Sequence, residues 1–460
     1  MNRSRFLQPL NRRQMLRVTT AAAAAYALAP AVGCGGSGGP LAPTSPAWPP
    51  DLPVGTFTPS AADEAFLDAS EQQACLYFWE QANTANGQVL DHAANNLGGA
   101  MDTSTTESSI AATGFGLAAL CIADSRGYQP HAEVVARVQA TLGFHLNTMP
   151  DENGFFYHFN DVNTGQPLSG SEVSSIDTAI LLCGVLAARA YFADATITSL
   201  ATQLYERVNW PWMLNGGATF TQAWYSGTGF AAPRYDTYCE LMMLYLLAIG
   251  SPTNPIAPAY WNNFARPLLA YEGYTYISSN SDPLFTHQYS HAWFDFRSKS
   301  DAYADYFKNS IAATQAHETF CLAYPSVANA WYNEDYWGIT SSDYVGGYAA
   351  WGGPPAQGPI DGTIVPCAAA GSLVFLPNHC LAMLESLKST WGASPAWGRY
   401  GFVDAFHPAA GWYCEDVLGI DQGIALLMAE NLRTDLIWNT FMSNPECALA
   451  MQLAGFQDEN

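Results

Sequence analysis

The chain has 460 residues, 49% of them hydrophobic, 13% aromatic and 12% charged, which is enough apolar surface for a large core and too much for a disordered chain. Its formal net charge is −23. An acidic excess of this size repels phosphate backbones and anionic lipid, which argues against nucleic acid and anionic polysaccharide and favours a neutral partner.

Residues 1–34 read as an address. Asn11-Arg12-Arg13-Gln14-Met15-Leu16-Arg17 precedes an apolar run from Thr19 to Val32, the pattern of a twin-arginine export signal, and the run is short for a membrane span. It ends in Ala31-Val32-Gly33-Cys34, which predicts lipidation at Cys34 and a periplasmic or cell-surface lipoprotein held to the membrane by that anchor; simple cleavage and a retained anchor are the alternatives. Five of the 17 basic residues and none of the 40 acidic ones precede Cys34, so the mature chain carries 12 against 40, a net charge of −28. Residues 35–60, rich in Gly, Pro, Ser, Thr and Ala, read as a flexible tether. Residues 61–460 show no compositional break and are expected to form a single monomeric catalytic domain.

Past the tether, apolar residues return every three or four positions. The face formed by Phe66-Leu67, Cys75 and Phe78-Trp79 opens the series, and further helices are predicted over about 108–125, 131–148, 174–193, 196–208, 236–249, 257–270, 301–319, 366–388 and 419–431. Strand patterns are short, as in Phe155 to Phe159 and Tyr274 to Ile277. Helix hairpins in series predict an all-α fold, an (α/α)6 barrel or helical toroid with short β-hairpins in its loops. Thr113-Gly114-Phe115-Gly116 lacks the third glycine of a dinucleotide site and is read as close helix packing. Cys75, Cys121 and Cys183 sit in apolar helical patterns as core thiols, whereas Cys367, Cys380, Cys414 and Cys447 are left open to pairing.

Three acids stand at the start of very apolar helices: Asp177, Glu240 and Asp421. For Asp177 and Asp421 a first-turn or capping role is equally open. Glu240, ahead of Leu241 to Ile249, should be desolvated and so protonated, as a general acid must be. Glycoside hydrolysis needs one protonated and one ionised carboxyl group, and Glu240 with Asp421 is the pair chosen. His287, His291 and Asp295 recur at intervals of four, a metal-ligand spacing if helical, but without the acid that zinc helices carry between their ligands. Hydrogen bonding to sugar hydroxyls is preferred for them, a structural role is open, and no metal or cofactor is expected. Loop tryptophans beside glycine, among them Trp337, Trp351 and Trp412, offer flat faces for pyranose rings.

From about Glu64 onward the chain resembles the bacterial glycoamylase-like domain, the group that includes the endo-β-1,2-glucanases of glycoside hydrolase family 144. The resemblance is carried by Tyr77-Phe78-Trp79-Glu80 with Asp91 after it, Ser251 to Ile256, His287 to Arg297, Trp351-Gly352-Gly353-Pro354-Pro355, Gly358 to Thr363, Gly401 to Phe406 with Asp404, and above all Gly419-Ile420-Asp421-Gln422-Gly423. It implies a glucan substrate, inversion at the anomeric carbon, Glu240 as the acid and Asp421 as the base or water-managing carboxylate. The resemblance also implies a further acid ahead of the third inner helix, which Glu172 or Asp177 would supply. A lipid-anchored glycan-binding protein and a transglycosylase on the same barrel are the rival readings.

Overall fold

The computed structural model describes Pro46 and residues 57–279, 283–324 and 332–459. The export signal, Cys34 and most of the tether lie outside the described residues. Thirteen α-helices are present among those described: α1 (Ala61–Glu80), α2 (Ile110–Ser125), α3 (His131–Asn147), α4 (Ser175–Tyr191), α5 (Ala195–Glu206), α6 (Trp210–Leu214), α7 (Met242–Gly250), α8 (Tyr306–Ala323), α9 (Pro366–Ala370), α10 (Pro377–Trp391), α11 (Gly419–Thr434), α12 (Leu436–Met442) and α13 (Pro445–Ala454). They pack pairwise as a helical toroid. α2 lies between α4 and α11, α4 reaches α7, and α1, α3, α5 and α13 pack on the outside of this inner set.

The inner helices α2 and α7 are apolar on every side, which is why they sit where they do. In α2 the whole run from Ile110 to Ala123 is buried, and in α7 so is every residue. A Cβ on Gly184 of α4 would overlap the Gly114 carbonyl of α2, and a Cβ on Gly423 of α11 would meet the Phe115 ring of the same helix. The glycines therefore set the distance between neighbouring inner helices. The contacts also show that α2, α4 and α11 run parallel, with their N-termini at one end of the barrel.

Short strands trim that end. His92–Ala94 pairs antiparallel with Asp416–Leu418, His92 opposite Leu418, which ties the loop before α2 to the loop before α11. Val173–Ser174 pairs with Ala223–Tyr225, Val173 opposite Trp224, in the sheet completed by Gly229–Phe230.

Two predicted helices fail. Residues 257–270 form a 3-10 turn, Pro258–Asn262, and then a strand, Leu268–Tyr271, paired with Tyr274–Ile277; Pro267, in the interior of the predicted span, lacks the amide a continuous helix would need. The stretch 366–388 breaks into α9 and α10, because Pro377 keeps Leu376 out of the helical region and starts a new helix as its first residue. All nine described cysteines are free thiols, so Cys367, Cys380, Cys414 and Cys447 do not pair.

Candidate active site

The segment before α7 does not run straight into the helix. Arg234–Tyr235 pairs with Phe220–Thr221, and the chain then turns, leaving Glu240 two residues ahead of Met242. Ser290 stabilises this turn: its hydroxyl donates to the Glu240 carbonyl (2.7 Å) and accepts the Met243 N–H (3.0 Å). The Glu240 side chain is half-buried. Burial pushes its carboxyl above the ordinary value and the Asp177 charge adds to this, against the opposing pull of its own main-chain N–H and Cys239. A carboxyl group in that state is suited to giving up a proton in a reaction.

Asp177 lies in the first turn of α4, where Ser174 caps the helix by accepting the Asp177 N–H (3.2 Å) and donates its hydroxyl to the carboxylate (2.6 Å). Glu172 and Asp177 converge on a residue that sequence reasoning missed, His158. Its Nδ1 is 2.9 Å from Glu172 Oε1 and its Nε2 is 3.5 Å from Asp177 Oδ1. Burial alone would drive the imidazole neutral, but Asp177, Glu172 and the more distant Asp91 push it up to about 9. Its signal in the sequence was confined to a histidine inside the aromatic run Phe155 to Phe159.

Asp421 occupies the first turn of α11 and is 5% exposed. Beside it is Asp404, 3% exposed, whose Oδ2 accepts the Asp343 N–H (2.6 Å). Burial, then the Asp421 and Asp343 charges, push the Asp404 carboxyl well up. The Cys414 thiol donates to Asp343 (3.5 Å), and burial with the charges of Asp421 and Asp404 raises the Cys367 thiol. The start of α11 is bound to the rest of the rim by the Gly419 N–H, which donates to the Asp91 carbonyl (2.8 Å).

The remaining sequence candidates divide. Trp412 stays half-buried on a hairpin, opposite His407. Trp337 and Trp351 are each 0% exposed and present no face to a sugar, Trp351 donating its Nε1–H to Ser342 (3.0 Å). His287 and His291 belong to two successive 3-10 turns and are core residues. His287 meets the Tyr238 hydroxyl (3.2 Å), while His291 meets the Ser310 hydroxyl (3.1 Å) and lies among Phe296, Phe307 and Phe375, its imidazole lowered to about 3 by burial and then by His287. Asp295 forms a two-pronged pair with Arg297, which also binds Asp435 at the C-terminal end of α11. Fourteen residues of helix separate Asp435 from Asp421, about 20 Å at 1.5 Å per residue, so Asp295 lies at the opposite end of the barrel. The partly exposed aromatic residues near Glu172 are Trp224 and Tyr225, which sequence reading passed over.

Donor atoms that converge closely enough for one ion occur at Asp91, His92 and Glu107 and at Asp343, Asp404 and Cys414, not at His287, His291 and Asp295.

The Glycoamylase family model, described as "Putative glucoamylase", matches residues 233–445. An exo β-1,2-glucooligosaccharide sophorohydrolase of Parabacteroides distasonis is 28% identical over 87% of this chain, and the chain spans only 59% of that curated relative's length. The endo-β-1,2-glucanase of Chitinophaga pinensis, solved with sophorotriose and glucose, superposes with a TM-score of 0.79 at 26% identity, covering 87% of this chain and 99% of that one. A β-1,2-glucanase structure from P. distasonis gives 0.78 at 25% identity, over 87% and 61%.

Proposed function

Because the chain carries a glycoamylase-like domain, we propose that it is an inverting glycoside hydrolase acting on a neutral glucan, with β-1,2-linked glucan as the substrate. The observation that carries this reading is the contrast between two acids at the starts of inner helices. Glu240 is half-buried and held toward its protonated form, while Asp421 lies in the first turn of α11 beside Asp404, whose own carboxyl is pushed up by burial and by the Asp421 charge. Glu240 protonates the glycosidic oxygen, and Asp421 takes the proton from the attacking water, directly or through a relay. The printed activities of the relatives include both exo and endo action, and the product pattern separates them.

The test is incubation of wild type and Glu240→Gln with β-1,2-, β-1,3- and α-1,4-glucans, watching for new reducing ends. The expected outcome is cleavage of the β-1,2 polymer, reduced ~100-fold or more in the variant. A glycan-binding protein would retain sugar affinity in both proteins and release nothing from either. Lipid attachment at Cys34 belongs to the same proposal. Growth with labelled palmitate should mark wild type and leave Cys34→Ala unlabelled, and a labelled variant would refute the anchor.

A further inference from the structure

We propose that His158 is a positioning residue for the candidate acid: lodged between Glu172 and Asp177, it holds the Asp177 carboxylate, whose charge acts on Glu240, and so sets the charge that Glu240 meets. The inference rests on the reading of Glu240 as the acid, but its geometry stands on its own. Three segments meet at this ring. Its main-chain N–H donates to the Glu172 carbonyl (2.8 Å), and its carbonyl accepts the Ile110 N–H (3.2 Å) at the start of α2. The imidazole stacks on Phe159, centroids 3.7 Å apart, which leaves the two nitrogens directed at two different carboxylates.

The charged groups around the ring come from each neighbouring element: Glu172 from the loop just ahead of the strand Val173–Ser174, Asp177 from α4, and Asp91, with His92 beside it (3.3 Å), from the loop before α2. A neutral imidazole has one N–H and can donate to one carboxylate; the imidazolium donates to both. With two acids converging on a buried ring, the doubly protonated form is the one that satisfies the site. Burial, and after it the Asp177 charge, raises the Glu240 carboxyl, so the cation that offsets Asp177 also controls how strongly Glu240 retains its proton. Removing the cation should strengthen that hold, and removing Asp177 should weaken it. A ring with a merely structural role would give no such opposition of sign.

Two measurements decide it, on the full chain. In the first, ring-nitrogen NMR titration of wild type, assigned by the resonance missing from His158→Gln, should show His158 protonated at neutral pH with a midpoint near 9. In Asp177→Asn that midpoint should fall by about one pH unit. A wild-type midpoint below 7, or one unmoved in Asp177→Asn, overturns the clamp whatever the enzyme does.

In the second, the basic limb of the pH profile of kcat/KM on β-1,2-glucan should move up in His158→Gln and down in Asp177→Asn, each by about half a pH unit or more. Melting curves confirm that both variants are folded. Unmoved limbs in two folded variants overturn the positioning role while leaving Glu240 as the acid. A Glu240→Gln variant as active as wild type overturns the acid assignment and the positioning role with it, and the NMR midpoints then report on the ion clamp alone.

Discussion

The two ends of the barrel solve opposite electrostatic problems with the same helices. At the C-terminal end the buried acids Glu71 and Glu430 meet arginines. Arg433, in the last turn of α11, binds Glu64 (2.9 Å), Asp68 (3.3 Å) and Glu71 of α1; Arg126, which ends α2, binds Glu430 (2.8 Å) and Glu71 (3.7 Å); Arg189, in the last turn of α4, binds Glu446 (2.6 Å). At the N-terminal end Glu172 and Asp177 converge on His158, the Asp177 charge acts on Glu240, and Asp343, Asp404 and Asp421 form a second acidic group. Cations suit helix C-termini and anions suit helix N-termini, so the helix dipoles favour both arrangements. The difference teaches how one scaffold treats its acids in two ways: paired charges lock one end, and at the other burial and neighbouring acids push Glu240 and Asp404 toward their protonated forms.

The comparison can be broken at either end. The largest expected effect is at the locked end. Arg433→Met leaves the buried Glu71 carboxyl, already pushed up by burial and by Glu430 against the pull of the two arginines, with only Arg126 beside it. The loss should be about 3–5 kcal/mol in denaturant unfolding, with turnover per folded molecule unchanged. A fall in turnover at constant stability would reverse the assignment of the two ends.

At the open end the order reverses. Asp421→Asn should lower kcat ~100-fold or more and leave the melting temperature equal or higher, because it removes the like charge beside Asp404. Between the ends, Gly184→Ala forces a methyl group into the Gly114 carbonyl and should destabilise by about 1–3 kcal/mol, measurable by thermal melting.

The smallest effect is a slope. Because the folded Asp404 carboxyl is raised above its ordinary value of 3.8, its contribution to stability is fully present below that value and declines as pH rises toward the raised one. Asp404→Asn should flatten the decline of unfolding free energy between mildly acid and neutral pH. An identical slope in the variant would show that Asp404 is not the group whose raised carboxyl sets it.

Legibility followed the range of the interaction. The helices α2 and α4 could be read because their apolar character runs nearly all round the cylinder, α11 because its apolar residues return at helical spacing, and the raised Glu240 carboxyl because an acid ahead of so apolar a run is desolvated. The tryptophans misled: a glycine beside Trp337 or Trp351 marks a turn, and turns here fold the ring inward as often as outward. The spacing of His287, His291 and Asp295 suggested one helical face, yet two 3-10 turns send the histidines into the core and Asp295 to the far end. His158 was invisible because its partners lie 14 and 19 residues away, across a loop that no local pattern predicts.

By itself the sequence determined that this protein is a set of amphipathic and wholly apolar helices with acids at several of their starts, since periodicity and desolvation act within one element. Only the tertiary structure decided which of those acids lie side by side, which one meets an imidazole and which end of the barrel is locked by arginine. Those outcomes depend on distances between side chains far apart along the chain, and Coulomb interaction in a buried site changes with every ångström of them.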